Sequence, residues 1–137
     1  MLNPHNVQPF PEPSAADILD RQHSEIKRKR QNLRTSIIEG MGMDQIVACA
    51  KDLIDTTLEH FRSEEHAMEA SRFTGLTGHK HLHAEMIQSL EEIWGELEHR
   101  KISTAMELMS FFDVRLTYHL DFEDGAFERE MKNIRNL

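Results

Sequence analysis

The chain is 137 residues long and carries a formal net charge of −8, from 16 Lys and Arg against 24 Asp and Glu. That length suits one domain with a proper core rather than two. The acidic balance argues against nucleic acid as a partner, because phosphate recognition needs a basic face, and the one basic run, Lys27-Arg28-Lys29-Arg30, reads as a solvated helix face. No apolar run is long enough to span a membrane and the amino terminus lacks the pattern of a secretory signal, so no membrane partner is expected. The single Cys49 suits a reducing compartment, and the expected location is the cytoplasm.

All four prolines fall at Pro4, Pro9, Pro11 and Pro13, so residues 1–14 read as an extended arm ending at Ser14, a helix cap. Residues 15–137 then have no proline and a helix-forming composition, which predicts an all-α domain. A first helix is expected from Ala15 to Glu39, with Leu19, His23, Ile26, Leu33 and Ile37 on one stripe and Arg30 its misfit, stopping at Gly40-Met41-Gly42. A second, from Met43 to Ala70, aligns Ile46, Ala50, Leu53, Thr57, His60, Glu64 and Met68. A loop follows over Ser71 to Gly78. A third helix, His79 to Glu98, aligns His79, His83, Met86, Leu90, Ile93 and Leu97, and a fourth, Ser103 to Arg135, aligns Ala105, Leu108, Phe112, Leu116, His119 and Phe127. Four amphipathic helices with short loops predict an up-down-up-down four-helix bundle.

Seven residues on these stripes can bind metal: His23, His60, Glu64, His79, His83, His119 and Asp124. The pairs His60/Glu64 and His79/His83 are four apart and share a helix face, whereas His119 and Asp124 are five apart, about 140° in azimuth on a regular helix. In up-down-up-down order all seven fall at one end of the bundle. One such pair alone would read as an ordinary surface pair, but five imidazoles and two carboxylates on core-facing stripes at one depth demand compensation, and a metal cluster supplies it. His66 and His81 should face outward, and His5 and His99 are given no role. The eight methionines read as core filler.

Seven ligands are too many for one ion. If both carboxylates bridge and an oxo or hydroxo bridge is added, they fill all but one of the positions around two octahedral ions, and the vacancy suits a small diatomic molecule. Five neutral imidazoles with only two carboxylates favour reversible O2 binding over oxygen insertion, so an enzyme is not expected.

With these residues placed, the chain resembles the hemerythrin family in its bacterial branch. The resemblance is carried by Asp20-Arg-Gln-His23, His60-Phe-Arg-Ser-Glu64-Glu65 followed by Met68, His79-Lys-His-Leu-His83, and His119-Leu-Asp-Phe-Glu-Asp124. It implies two non-haem iron ions, one bound by His79, His83 and His119 and the other by His23 and His60, with Glu64 and Asp124 bridging. It also implies that O2 and small anions bind at the iron held by two histidines, in a pocket lined by Ile26, Phe61 and Phe122. Arg115 stands where many relatives have Trp, and Met86 where an aromatic is frequent; Phe10 takes the place of the aromatic that leads the arm. On the fourth-helix stripe Arg115 should point towards the cluster or the mouth of its pocket and keep water near it. That looser pocket, and a fourth helix running in charged sequence to Leu137, favour an oxygen- or redox-sensing module with a carboxy-terminal output domain over a stand-alone O2 carrier or store. A di-iron enzyme acting on peroxide or nitric oxide is the third alternative.

Overall fold

A computed structural model describes residues 14–135. Residues 1–13 of the expected arm, Phe10 and His5 among them, and Leu137 lie outside the described residues. Among those described there is helix and no strand: α1 Ala15–Ile38, α2 Met43–Ala70, α3 Leu76–Leu97, α4 Ile102–Ser110 and α5 Gly125–Arg135. Between α4 and α5 the chain stays helical but passes through two π-helical segments, Phe111–Leu116 and His119–Glu123. These four pieces make a single fourth rod. No helix among the described residues is long and apolar enough to cross a membrane.

Local chemistry sets the ends. Ser14 accepts a hydrogen bond from the Asp17 amide and Asp17 accepts one from the Ser14 amide, a reciprocal capping box that starts α1. The turn into α2 uses Gly40 at φ +62° and Gly42 at φ +87°, a left-handed backbone that side chains resist. α3 begins three residues earlier than the loop reading placed it. Leu76 supplies the reason, since it packs with Phe73 against a small apolar cluster and draws the loop's end into the helix.

α1 packs along α2, α2 on α3, and α3 on the fourth rod, which closes the ring against α1. The main core, with Leu33, Ala50, Leu53, Leu90, Leu108 and Phe112 at its centre, fills most of the bundle. A second, smaller core of Leu19, Ala67, Met68 and Phe127 closes one end. Leu19 and Ile26 flank His23 in sequence by one turn on either side, and Leu116 and Phe127 flank His119 and Asp124 in the same way. The candidate ligands therefore form a polar layer between two apolar ones.

Candidate metal centre

All seven predicted ligand residues meet in that layer. They form two overlapping groups whose donor atoms lie within 4.8 Å of one another: Glu64, His79, His83, His119 and Asp124, and His23, His60, Glu64 and Asp124. Glu64 and Asp124 belong to both. Six of the seven are buried, and His23, whose side chain is 17% exposed, closes the solvent side.

The two carboxylates face both ways. Glu64 Oε1 lies 2.5 Å from His79 Nε2 and 3.1 Å from His83 Nε2, while its Oε2 lies 3.5 Å from His60 Nε2. Asp124 Oδ1 lies 2.8 Å from His79 Nε2 and 3.0 Å from His119 Nε2, while its Oδ2 lies 3.7 Å from His23 Nε2 and 3.8 Å from His60 Nε2. Each carboxylate thus offers one oxygen to a three-histidine side and the other to a two-histidine side.

His119 and Asp124 converge because the helix changes pitch between them. The Asp124 amide donates to the His119 carbonyl at 2.9 Å, an i→i+5 bond that spends one more residue on the turn and brings the fifth residue round onto the histidine's face. A regular helix is what the sequence predicts here, and the five-residue spacing is the one sign in it of a change of pitch.

The outer ring nitrogens are tied down by groups that the sequence reading gave no role. His60 Nδ1 donates to Gln22 Oε1 at 3.0 Å, His83 Nδ1 to Glu65 Oε2 at 2.8 Å, and His119 Nδ1 to Glu123 Oε1 at 3.0 Å. Glu65 and Glu123 each adjoin a ligand carboxylate and Gln22 precedes His23, so adjacency was the only clue. An imidazole holding its proton on Nδ1 presents a bare lone pair at Nε2. Yet His83 and His119 bring Nε2 to Nε2 at 3.0 Å, and His23 Nε2 lies 3.1 Å from His60 Nε2. Lone pairs so crowded repel unless a cation sits among them. The Asp124 carboxylate points the same way, for both its oxygens are buried with no hydrogen bond oriented onto them despite the nearby nitrogens. Neutral imidazoles and bridging carboxylates are the donor set of borderline divalent metals, and the residues fit such ions.

Without a cation, protons must take that place. Burial disfavours charge on His79 and His119, but the Asp124 and Glu64 carboxylates outweigh it and raise both rings to about 9. His60 is raised by the same balance. Burial pushes Glu64 and Asp124 upward, and the surrounding imidazoles nevertheless hold both well below the usual carboxylate range. For Glu123, too, burial opposes ionisation, and Arg115 and His119 overcome it.

Of the three residues expected to line a ligand pocket, Ile26 and Phe61 are buried at the layer, and the Phe61 ring stacks on His83 at 4.2 Å and meets His119 edge-on. Phe122 is a correction: it is 68% exposed and leans on Tyr118 at the outer surface. The π turn displaces it, because with the turn widened Asp124 takes the inward place that a regular helix would give to a third or fourth neighbour of His119. Arg115 donates to Glu123 at 2.6 Å, so it reaches the centre through Glu123 and His119 rather than directly. Arg30, the misfit of the first stripe, donates to Thr117 at 2.7 Å across the seam to the fourth rod. His66, His81 and His99 are exposed.

Fold and site together define a four-helix bundle with a buried cluster of histidines and carboxylates that could hold metal ions. In sequence the chain is 28% identical over 60 residues to a myohemerythrin from Riftia pachyptila, a stretch that covers 44% of this chain and 50% of that protein. The chain therefore spans about half the length of the curated relative it matches. No protein-family model and no solved structure matches it. The similarity and the His/Glu/Asp cluster together support a hemerythrin-like family for this chain.

Proposed function

We propose that the chain is a non-haem di-iron protein that binds O2 reversibly, with a bundle domain over 15–137 preceded by an arm over 1–14. The observation that carries this reading is the two-sided arrangement of Glu64 and Asp124 between three histidines and two. His79, His83 and His119 would hold one iron, His23 and His60 the other, with the two carboxylates shared. When bound, the iron pair supplies the reversible electron transfer that O2 binding needs. The protein's part is to hold five imidazoles neutral with their Nε2 lone pairs inward, to limit anionic ligands to two, and to exclude bulk water with Ile26, Phe61 and Leu116. With His23 the most exposed ligand, the two-histidine side is the approach for O2 and small anions.

An oxygen- or redox-sensing role is the favoured use of that chemistry. His119 and Asp124 lie on the fourth rod, whose π segments are places where a helix can repack when a ligand changes. Storage or transport is the alternative, and no observation favours an enzyme.

The test is metal analysis with gas binding. Protein purified from iron-replete cells should carry about two irons per chain, from two octahedra sharing seven ligands. After reduction it should take up O2 and release it under vacuum, with a visible absorption change in each direction. One metal per chain, or oxidation by O2 that vacuum never reverses, would overturn the reading.

A further inference from the structure

The outer face of the fourth rod is apolar where the other three helices are charged. Met106 is 59% exposed, Val114 69%, Tyr118 55% and Phe122 68%, with Ile102 at one end and Ile38 of α1 beside them. By contrast the exposed rows of α2 and α3 carry Lys51, Asp55, Glu59, Lys80, Glu85 and Glu92. Scattered exposed apolar residues are normal, but several large ones aligned on one face mark a binding surface.

The row is broken by the exposed Ser110 between Met106 and Val114, and it stays in line because of the π segments. Every fourth residue of an α-helix drifts by about 40°, so five steps from Ile102 to Phe122 would wander roughly 200°, to the opposite face. The wider turns at Phe111–Leu116 and His119–Glu123 wind the other way and bring Val114, Tyr118 and Phe122 back into line with Met106. The distortion that aims Asp124 inward also aligns an apolar ridge outward.

The ridge is bordered by grooves of unlike charge, and Val114 lines both. The groove towards α3, about 810 Å³, is rimmed by Glu91, Glu92, Glu96 and Glu107 with Arg115. The groove towards α1, about 360 Å³, contains Arg34, and Arg30 lies further along that seam. Arg34 pairs with Asp113 at 2.6 Å and remains 37% exposed.

We infer that this ridge is the interface of a parallel homodimer. A two-fold axis along the rod lays ridge against ridge and turns the arginine seam of each copy towards the acidic groove of the other. An axis across the rods would set acid against acid, which chains of net charge −8 tolerate poorly. Self-pairing also buries a like patch on each partner, as a two-fold interface requires.

Sedimentation equilibrium of the whole chain at micromolar concentration tests this. A dimer is expected, and Met106→Glu and Val114→Glu, both away from the candidate ligands, should each weaken it about tenfold or more while circular dichroism stays unchanged. Direction is read in a Cys49→Ser background. Under mild oxidation Ser103→Cys and Ala126→Cys should each cross-link with their own kind. A monomer throughout, or a dimer indifferent to both glutamates, would overturn the interface, and cross-links found only when the two cysteine variants are mixed would overturn its parallel sense.

Discussion

α2 and the fourth rod each deliver one histidine and one carboxylate to the same layer, by different means. α2 places His60 and Glu64 four apart on an unbroken α-helix, which stacks them without further adjustment. The fourth rod places His119 and Asp124 five apart and must open a π turn to do so. A π turn amounts to one residue inserted in a helix, so the two regions should respond oppositely to losing a residue. Deleting exposed Asp121 should convert the His119–Glu123 segment to regular helix, leave Gly125–Arg135 in register and retain metal. Deleting exposed Arg62 has no such slack to absorb, rotates Glu64 and Met68 by about 100°, and should abolish metal binding and the cooperative thermal transition. Equal damage from both deletions would refute the equivalence of the two pairs.

The carboxylates come next in size. Glu64→Ala should lose both irons and cost the metal-free fold about 3–5 kcal/mol, because it strips one of the two buried carboxylates from the imidazoles of the layer. Denaturant unfolding with and without chelator separates these effects. Asp124→Ala should match it in metal content if the two carboxylates share the ions equally.

The aromatic pair divides the rod's inner and outer faces. Phe61, 1% exposed and stacked on His83, should cost about 3–5 kcal/mol as Phe61→Ala, whereas Phe122→Ala should change monomer stability by about 0.5 kcal/mol or less. Thermal melts at low protein concentration, where a dimer would dissociate, decide it.

The pattern of success in reading the sequence follows the same division. α1 and α2 were legible nearly to the residue because each keeps one period from cap to glycine or last apolar residue, and the metal-binding residues lay on those stripes. The fourth rod was legible as helix and in its ligands, but not in its outward geometry. The family resemblance implies an inward Phe122 and a steady rotation per residue predicts a wandering outer row, and the π turns reverse both. The supports Gln22 and Glu123 were missed for a different reason. Polar residues beside a ligand look like solvated surface until the ring nitrogen they hold is placed.

Those supports set the smallest effects. Glu65 and Glu123 each accept from the outer nitrogen of a buried histidine, so Glu65→Ala and Glu123→Ala should each weaken iron retention by about 10–100-fold, measured as the rate of loss to a chelator. Arg115 acts one step further out. Its guanidinium pairs with Glu123, but the side chain is 33% exposed, and a pair so open to water contributes about 1 kcal/mol or less. Arg115→Met should therefore speed iron loss only a few-fold, by about 1 kcal/mol or less in barrier, since Glu123 still has His119 to hold. Loss as fast as in Glu123→Ala would instead make Arg115 the anchor of the carboxylate. Raised salt distinguishes the two: it should narrow the gap between wild type and Arg115→Met by screening the exposed pair, and leave the effect of Glu123→Ala intact.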